Sequence, residues 1–449
     1  MNNMPNLSGL AVTDLPVSSL KPYPKNARTH SKKQIGQVAT SIRSFGFNVP
    51  ILVDEESTVL AGHARLAAAK TMGLDTVPCV RLSHMSKAQK KAFILADNKL
   101  ALNAGWDEET LSLELKELLE LDTDLEIGVT GFSVTEIDAL VDGIALEESG
   151  NPKDDRLPEV AEAAVTRPGD LWLLGPHRML CGSALSPEDC SRLLGGEKAQ
   201  FVITDPPYNV PITGHVSGLG KVRHREFAAA SGEMTADQFT AFLETAFRNL
   251  VANSTDGSIH MVFIDWRHMA EVQAAGGSVY SELKNLIVWV KDNGGMGSFY
   301  RSRHELIFVF KNGTAPHVNS FELGQHGRYR TNVWTYKGMN SFGGKRNDEL
   351  GLHPTVKPVA LLADAIKDVS TRGSIVLDLF GGSGSTLIAA HKTGRRGYLM
   401  ELDPLYCDCS LRRWEAYAKD DAILEKTGQT FAEVAKERQG PSAEKPSTE

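Results

Sequence analysis

A short stretch near the middle of the sequence combines residue types that suit chemistry on an amino group. Asp205, Pro206, Pro207 and Tyr208 follow an apolar run, residues 200–203, which predicts a buried strand with a sharp stop. A carboxylate and a backbone carbonyl held side by side can accept both hydrogens of an amino group, so Asp205 is a candidate catalytic residue. The Tyr208 ring can stack on a flat base. An ordinary strand followed by a proline turn is the alternative interpretation.

A second stretch has the pattern of a ligand-binding turn. Residues 374–386 predict a strand, a glycine-rich turn and the start of a helix, and residues 397–401 predict the next strand, with Glu401 at its end. Glycine lets a backbone approach a ligand closely, and a following acid suits the hydroxyls of a ribose. Because the spacing is not GxGxxG, the turn favours a nucleoside ligand in general over a dinucleotide.

Together, residues 205–208 (DPPY) and 380–384 (FGGSG) resemble the DNA amino-methyltransferases that use S-adenosylmethionine. The order of the two stretches is similar to the permuted, beta-group order of that family, and residues 353–358 (HPTVKP) resemble its third signature. The resemblance covers about residues 166–420 and implies methyl transfer to the exocyclic amine of a base flipped out of duplex DNA. Asp at position 205 implies adenine N6 as the acceptor, with cytosine N4 as the alternative.

The resemblance also implies a role for each residue of these motifs. In the catalytic set, Asp205 and the carbonyl of Pro206 accept the amine hydrogens, and Pro207 and Tyr208 complete the motif. Ser183 stands near the adenine ring of the cofactor, where family members often carry aspartate. No metal is required. The implied cofactor-binding residues are Asp378, Phe380, Gly381, Gly382, Gly384, Ser385, Glu401, Thr355, Lys357 and Ser183.

Three rival functions are weaker on the residues. Cytosine C5 methylation needs a cysteine nucleophile, and Cys79 lies on a predicted strand outside the catalytic region, where it is expected to be part of the core. Protein glutamine methyltransferases have a similar motif, but they begin it with asparagine and place the cofactor loop first. A ParB-like DNA-binding protein without activity would not need all three signatures intact.

The N-terminal part, residues 15–102, alternates short predicted strands and helices, with a short strand and turn expected at residues 17–22 and Ser31 as the candidate N-cap of the first helix. This part resembles the N-terminal domain of ParB-like partition proteins. Gly62, His63 and Arg65 stand where that family has a glycine-arginine phosphate-binding turn, but His63 and Ala64 replace its usual paired arginines. Residues 17–103 hold 13 basic and 5 acidic residues, so this domain is a candidate for nucleic-acid contact or simply has a solvated basic surface.

An acidic segment separates the two halves of the chain. Residues 104–162 contain 18 acidic and 3 basic residues, so the rest of a chain of net charge −8 sums to +7. Helical spacing predicts one helix in residues 106–121, and a capping-box pattern at Ser133 and Glu136 predicts a second, short helix. Residues 147–165 are expected to form a flexible linker.

Residues 291–346 combine 9 basic and 3 acidic residues with aromatic residues, glycines and asparagines. Basic and aromatic residues on loops suit phosphate contact and base recognition. By position this segment resembles the family's target-recognition region, and a solvated insertion is the alternative. The preceding segment, residues 212–232, is expected to be a mobile loop over the active site. The candidate DNA-binding residues are Arg301, Arg303, Arg328, Arg330 and Lys337.

Composition is that of an ordinary globular protein: of 449 residues, 41% are hydrophobic and 23% charged. No membrane span or secretory signal is recognised, and five scattered cysteines favour a reducing, cytoplasmic compartment. The predicted fold is α/β: a Rossmann-like methyltransferase sheet preceded by a small α/β ParB-like domain. Double-stranded DNA is the expected partner, and a homodimer, a cognate restriction enzyme and the recognition sequence are left open. The expected domains are residues 15–102, 103–165 and 166–425, followed by a tail at 426–449.

Overall fold

The chain folds into two compact units, Met1–Ile144 and Ala145–Glu449, each with its own sheet. Among the described residues, no helix has the length and apolar character needed to cross a membrane. The computed structural model describes residues 10–121, 127–142, 153–158, 163–210, 232–292, 294, 300–320, 330–338 and 356–439.

The described part of the first unit is built on a four-stranded sheet with the order β1-β4-β2-β3. Its strands are β1 (Val12–Pro16), β2 (Ile51–Val53), β3 (Val59–Ala61) and β4 (Thr76–Arg81). Its helices are α1 (Lys32–Phe45), α2 (His63–Met72), α3 (Lys87–Ala101), α4 (Glu108–Glu120) and α5 (Val134–Asp142). β4 pairs antiparallel with β1 and parallel with β2, so this is a mixed α/β sheet.

Side-chain caps confirm two predicted helix starts in this unit. Ser31 Oγ accepts a hydrogen bond from Gln34 N at 3.1 Å at the start of α1. Ser133 Oγ accepts from Glu136 N at 3.2 Å while the Glu136 carboxylate accepts from Ser133 N at 2.7 Å, which is the predicted capping box of α5. These short-range patterns determine where the helices begin.

Of the short strand and turn expected at residues 17–22, the turn is formed but the strand lies earlier in the chain. β1 ends earlier, at Pro16, and Val17–Ser19 form a single 3₁₀ turn. Leu20 N donates to Val17 O at 3.4 Å and closes this turn. The prediction was wrong because the apolar residue at position 17 is buried in the core from a turn rather than from a strand.

The second unit contains, within its described residues, a ten-stranded sheet of order β11-β9-β10-β8-β7-β12-β13-β6-β5-β14. The strands are β5 (Leu171–Leu174), β6 (His177–Cys181), β7 (Ala199–Thr204), β8 (Ser254–Ile264), β9 (Glu282–Val290), β10 (His304–Lys311), β11 (Val333–Thr335), β12 (Ile375–Asp378), β13 (Arg396–Glu401) and β14 (Ile423–Leu424). The helices are α6 (Pro187–Leu194), α7 (Ala236–Ala252), α8 (Met269–Val279), α9 (Val359–Val369), α10 (Ser385–Lys392), α11 (Pro404–Ala418) and α12 (Phe431–Gln439).

The centre of this sheet is parallel, and the chain leaves it in two directions. β8, β7, β12, β13 and β6 are parallel neighbours in that order. From β7 the chain continues to β8 on one side, whereas from β12 it continues to β13 on the other side. The carboxyl ends of β7 and β12 therefore flank a switch in strand order, the place where open α/β sheets bind ligands.

Burial on both faces of the sheet explains the continuous apolar run before Asp205. Phe201 and Ile203 of β7 belong to the hydrophobic cluster on one face, and Val202 belongs to the cluster on the other. All three side chains have no exposed surface. Parallel strands covered by helices on both faces have this pattern, so the predicted α/β fold is confirmed.

Part of the segment expected to be a flexible linker packs against the second unit. The Asp154 carbonyl accepts a hydrogen bond from Arg413 Nη2 at 2.9 Å, and the Asp155 carboxylate accepts from Val359 N at 2.9 Å. Leu157 is buried. The flexible linker was expected from the content of acids and prolines alone. That content does not show that a backbone carbonyl of the segment accepts a hydrogen bond from a buried arginine.

The expected tail is also ordered over much of its length. Residues 431–439 form α12, in which Phe431 and Val434 are buried. The Phe431 ring meets Trp172 of β5 edge-on, with ring centroids 5.4 Å apart. Residues 440–449 lie outside the described part, as do residues 211–231, which include most of the loop expected over the active site.

Candidate active site

Asp205 lies at the carboxyl end of β7, and both of its carboxylate oxygens have a partner. The Tyr208 hydroxyl donates to Oδ1 at 2.7 Å, and Lys357 Nζ donates to Oδ2 at 2.5 Å. Lys357 Nζ is also 3.3 Å from Glu305, whose other oxygen pairs with Lys291 Nζ at 2.5 Å. Two carboxylates and two ammonium groups thus form a continuous chain of ion pairs.

The two carboxylates of this network differ in exposure, and Lys357 between them is buried. The Lys357 side chain is 6% exposed, that of Glu305 13% and that of Asp205 22%. Asp205 is therefore the carboxylate of the network most accessible from the cleft. Lys357 Nζ also lies over the rings of Phe263 and Tyr208, at 5.2 Å and 5.5 Å from their centroids.

The surroundings shift the pKa values of the network in different directions. Burial raises the pKa of Asp205, and the nearby charge of Glu305 raises it further, against the opposing effect of Lys357. Burial also acts to raise the pKa of Glu305, but Lys357 and Lys291 outweigh it and lower the value to about 2. Burial acts to lower the pKa of Lys357, yet Asp205 and Glu305 outweigh it and keep that pKa raised. Glu305 is thus the more firmly ionised of the two acids.

The glycine-rich turn after β12 has backbone angles and close contacts that favour glycine, and hydrogen bonds to its backbone hold it in place. Gly382 and Gly384 have positive φ angles of 51° and 80°. Gly382 N donates to Glu401 Oε2 at 2.8 Å, and Ser410 Oγ donates to Gly382 O at 2.9 Å. A Cβ atom at Gly384 would lie 2.8 Å from Ser410 Oγ. At Gly381, a Cβ atom would meet Leu399 at 3.1 Å.

Two acids at neighbouring strand ends, the buried Asp378 and the partly buried Glu401, support this turn. Asp378 accepts from the hydroxyls of Thr204 and Thr386, both at 2.7 Å, and from Phe380 N at 3.0 Å. Burial raises the pKa of Asp378 to about 6 and that of Glu401 to about 7. Asp378 ties β7, β12 and α10 together, so its contacts are those of a supporting residue.

The two motifs predicted from the sequence line one cleft, with about 1380 Å³ of empty space including its opening to solvent. Ser183 lines it too, with its amide donating to Asp189 Oδ2 at 2.9 Å. Ser385 lies behind the turn, where its Oγ accepts from the buried Arg413 at 3.1 Å. Thr355 is outside the described residues. The predicted residues that line the cleft are Ser183, Asp205, Pro206, Pro207, Tyr208, Lys357, Asp378, Phe380, Gly381, Gly382, Ser385 and Glu401.

Sequence reasoning missed Glu305 and Lys291 as members of this site. Glu305 is the second residue of β10 and precedes five residues that are buried one after another. An acid at the start of such an apolar run is a detectable signal. The sequence could not predict its pairing with Lys357, because that residue is distant along the chain and lies close to Glu305 only in the folded sheet.

The candidate DNA-binding residues divide into two groups. Arg301, Arg303 and Lys337 are exposed, and they adjoin the ends of β10 and β11 at the edge of the sheet that carries Asp205. Arg330 instead points inward, with its side chain 11% exposed: its Nε donates to Asp368 at 3.0 Å, and its guanidinium lies 4.4 Å from the Trp334 ring centroid.

These contacts remove Arg330 from the surface available to a phosphate. Charge counting over the segment did not separate this internal ion pair from exposed cations. Arg328 lies outside the described residues. Two aromatic residues expected on loops, Trp334 and Tyr336, are buried at 5% and 6% exposure, so they belong to the core rather than to a recognition surface.

In the first unit, Gly62, His63 and Arg65 lie at the start of α2 beside a separate cleft. Gly62 has a φ of 100°, and a Cβ atom there would lie 2.9 Å from the Arg65 guanidinium. His63 Nε2 accepts from the backbone amide of Tyr23 at 3.2 Å. Arg65 Nη2 donates to the carbonyl of Pro50 at 3.3 Å. The three predicted turn residues therefore all line this cleft.

The described residues hold no group of His, Cys, Asp or Glu side chains that could bind a metal. All five cysteines are buried and free. Cys79 lies in β4, in the core of the first unit, which fits the expectation for this residue.

Comparison with known proteins gives a match for each part of the chain. Residues 199–412 match the family described as DNA methylase, of the N6/N4 methyltransferase type. Residues 2–99 match the ParB N-terminal domain, and residues 109–168 match the HTH domain described as ParB-methyltransferase. The three matches cover both units, including the acidic segment that the sequence alone left without a relative.

The chain is also similar to individual proteins. The chain is 42% identical over 82 residues to YnaK of Escherichia coli (strain K12), a ParB-like nuclease domain-containing protein, covering 18% of this chain and 94% of that protein. It is 27% identical over 236 residues to the Type II methyltransferase M2.DpnII of Streptococcus pneumoniae, covering 49% of this chain and 84% of the relative. A crystal structure of the M1.HpyAVI–SAM complex aligns with a TM-score of 0.39 and 20% identity, covering 52% of this chain and 97% of that chain.

Proposed function

We propose that this chain, which carries a DNA methylase domain and a ParB N-terminal domain, methylates the N6 amine of adenine in duplex DNA. S-adenosylmethionine is the methyl donor of this family. The observation that carries the proposal is the meeting of residues 205–208 and the glycine turn in one cleft at the switch point of the sheet. Cytosine N4 is the alternative acceptor, and the Asp at position 205 favours adenine through the family resemblance.

The residues around the cleft suit S-adenosylmethionine. The positive φ angles of Gly382 and Gly384 keep Cβ atoms out of the turn, so the backbone can approach the methionine part of the ligand. Glu401, at the end of β13, lines the cleft, and in this proposal it accepts the ribose hydroxyls. Ser183 also lines the cleft, and in this proposal it contacts the adenine ring. When bound, the cofactor supplies an electrophilic methyl group on a positively charged sulfur.

On the acceptor side, Asp205 and the carbonyl of Pro206 receive the two hydrogens of the target amine. The lone pair of an exocyclic amine is delocalised into the ring, so the amine is a weak nucleophile. Accepting its hydrogens concentrates the lone pair on nitrogen and stabilises the positive charge that develops there. Orientation of the amine toward the methyl group supplies much of the remaining acceleration. The Tyr208 ring supports the flipped base.

Exposed cations at the same edge of the sheet suit the DNA backbone. Arg301 and Arg303 precede β10, and Lys337 follows β11 by two residues. Their positive charge beside the cleft would pair with phosphates flanking the flipped base. The same role for Arg328 remains a prediction, whereas Arg330 is better explained by its buried pair with Asp368.

Asp205→Ala tests the catalytic assignment. Removing this acceptor should lower the methyl-transfer rate by about 10²–10³-fold or more, because stabilisation of the developing charge is lost. Cofactor affinity should change little, since Glu401 and the glycine turn are intact. The measurements are methyl incorporation into duplex DNA and calorimetric binding of S-adenosylmethionine.

Asp256→Ala is the matched control, because Asp256 lies near the opposite end of β8, where it accepts from Thr314 N and Ala315 N. This control should methylate at the wild-type rate. Activity of Asp205→Ala within tenfold of wild type would contradict the assignment. Single-molecule sequencing of DNA from a methylation-free host that expresses the chain would identify the methylated base and its sequence context together.

A further inference from the structure

We infer that Glu305 is a positioning residue that takes Lys357 away from Asp205 when the target amine enters the site. The inference rests on the proposed function, in which Asp205 accepts hydrogens from that amine. It adds an exchange of hydrogen-bond partners inside the buried network, and it gives Glu305 and Lys291 a purpose that the methylation motifs do not include.

Both carboxylate oxygens of Asp205 already accept hydrogen bonds. Its Oδ1 receives the Tyr208 hydroxyl at 2.7 Å and its Oδ2 receives Lys357 Nζ at 2.5 Å. An incoming amine needs one of these oxygens with its lone pair directed into the cleft. The ammonium group of Lys357 is the stronger competitor because it carries a full charge. The amine can therefore bind Asp205 best after Lys357 has moved.

Glu305 is the acceptor that can receive Lys357 with little movement. Its Oε2 is 3.3 Å from Lys357 Nζ and 3.1 Å from the Tyr208 hydroxyl. A shift of a few tenths of an ångström would bring Lys357 to ordinary hydrogen-bond distance from Glu305, and a further shift of about half an ångström in the same direction would break its bond to Asp205. The Tyr208 proton can also turn from one carboxylate to the other, because the hydroxyl lies within hydrogen-bond distance of both.

Glu305 itself is firmly held, so Lys357 is the group that moves. Lys291 Nζ pairs with Glu305 Oε1 at 2.5 Å and lies over the Trp289 ring at 4.6 Å from its centroid. The backbone of β10 is fixed between β8 and β9, with Glu305 opposite Trp289. Lys291 thus fixes the far oxygen of Glu305 and leaves the near one for Lys357.

The charges make the exchange favourable during methyl transfer. Before and after the shift, each ammonium group of the network lies beside a carboxylate, so no buried cation is left unpaired. Asp205 loses the Lys357 charge at the moment when the amine nitrogen becomes positive. It is also the most exposed acid of the network, at 22%, which leaves it open to the cleft. The developing charge of the substrate then replaces the charge of Lys357.

Kinetics of Glu305 variants are the first test. Glu305→Gln should slow single-turnover methyl transfer at least tenfold at saturating DNA and cofactor, because a neutral amide holds Lys357 less well and leaves it on Asp205. The Kd for S-adenosylmethionine should stay within twofold of wild type. Glu305→Asp keeps the charge at a greater distance from Lys357 and should give an intermediate rate. Glu197→Gln, which removes a carboxylate paired with Arg396 at the surface, should react at the wild-type rate.

A crystal structure of Asp205→Asn is the second test, and it does not depend on activity. With the charge at position 205 removed, Lys357 Nζ should lie within 3.0 Å of Glu305, compared with 3.3 Å here. The inference is overturned if Lys357 stays on the side chain at 205 or turns away from Glu305. It is also overturned if Glu305→Gln reacts within twofold of wild type, or if its cofactor affinity falls as much as its rate.

The two tests separate this inference from the proposed function. If the wild-type chain methylates no DNA, the proposed function fails, and the Asp205→Asn structure still decides whether Lys357 moves to Glu305. If Glu305→Gln does not fold, Glu305→Asp and the same structure decide the question. If wild type methylates DNA and both Glu305 variants match its rate, methylation stands and the role of Glu305 is rejected.

Discussion

The surroundings of Glu401 determine the pKa of its carboxyl group. Both of its oxygens accept backbone amides, from Gly382 and Asp403, at 2.8 Å each. These bonds favour the ionised form, but burial outweighs them and raises the pKa to about 7. Because the folded chain binds this proton more tightly than the unfolded chain, the group contributes less stability as pH rises through 7. The affinity for a ligand that needs the ionised carboxylate should instead increase as pH rises.

Cofactor affinity should therefore increase with pH near neutrality. In the proposed site, Glu401 accepts from both ribose hydroxyls only when its carboxyl group is ionised. The ionised fraction grows about tenfold between pH 6 and pH 8 for a pKa of about 7. The Kd for S-adenosylmethionine should fall by up to about that factor over this range, as measured by calorimetry. In Glu401→Gln the Kd should be weaker and nearly independent of pH. A wild-type Kd that is flat from pH 6 to 8 would show that this carboxyl group does not bind the ligand.

The sequence was sufficient for those site residues whose partners are close along the chain. Asp205 with Tyr208 and the glycine turn are recognisable because three or four neighbouring residues carry the pattern. Glu305 was not recognised, since its meaning depends on two lysines brought together by the sheet. Arg330 was misassigned for the same reason: a count of cations does not show which of them has a buried acid as its partner.

At the scale of elements, the glycine turn is a backbone structure fixed from behind by α11. Ser410 of α11 bonds to the Gly382 carbonyl, and Arg413 of the same helix donates to the Ser383 carbonyl at 2.9 Å. The turn therefore keeps its shape without depending on a ligand, and its position relative to β7 is set by Asp378. Pattern reading predicted the strand, turn and helix, but not the helix that packs behind them, which is far along the chain.

Gly384→Ala should destabilise the chain more than Gly373→Ala. Both glycines have a positive φ, 80° and 75°, so both substitutions incur the same backbone strain of about 1 kcal/mol. At Gly384 the new Cβ would also lie 2.8 Å from Ser410 Oγ, whereas at Gly373 it meets nothing within 4 Å. The added contact should bring the total cost at Gly384 to about 2–4 kcal/mol. Urea unfolding measures both, and equal losses would mean that Ser410 can move aside freely.

Gly384→Ala should also weaken cofactor binding, while Gly373→Ala should not, because Gly373 lies before β12 at the other end of the strand. Binding is measured by calorimetry at a temperature where both variants are folded. Wild-type affinity in Gly384→Ala would contradict the view that the turn must keep its shape to hold the ligand.

On the scale of the whole molecule, charge is distributed unevenly between the parts of the chain. Residues 17–103 carry 13 basic and 5 acidic residues, a surplus of 8, while residues 104–162 carry 18 acids and 3 basic residues. DNA affinity responds to the potential near the phosphates rather than to the net charge of −8. Residues 15–102, which hold this basic surplus, should therefore add salt-sensitive DNA affinity, although the methylation motifs all lie in the second unit.

The contacts of Asp154 and Asp155 determine where a shortened chain can begin. A chain starting at Ala145 keeps the bond from Arg413 to the Asp154 carbonyl and the bond from Val359 N to Asp155. A chain starting at Thr166 loses both and leaves a donor of the buried Arg413 unpaired, which should cost roughly 1–3 kcal/mol. Thermal unfolding should therefore rank the Ala145 chain above the Thr166 chain.

With the first unit absent, the Ala145 chain should still bind S-adenosylmethionine and methylate DNA, because Asp205, the glycine turn and Glu401 all remain. Its DNA affinity should be weaker and should depend less steeply on salt than that of the full chain, since fewer cations meet the phosphates. The measurements are methyl incorporation and DNA binding across a salt series for both chains. A folded, cofactor-binding Ala145 chain that cannot methylate at saturating DNA would make the first unit part of the catalytic machinery. Equal salt slopes for the two chains would instead mean that the basic surplus is a solvated surface and that the ParB domain serves a partner other than DNA.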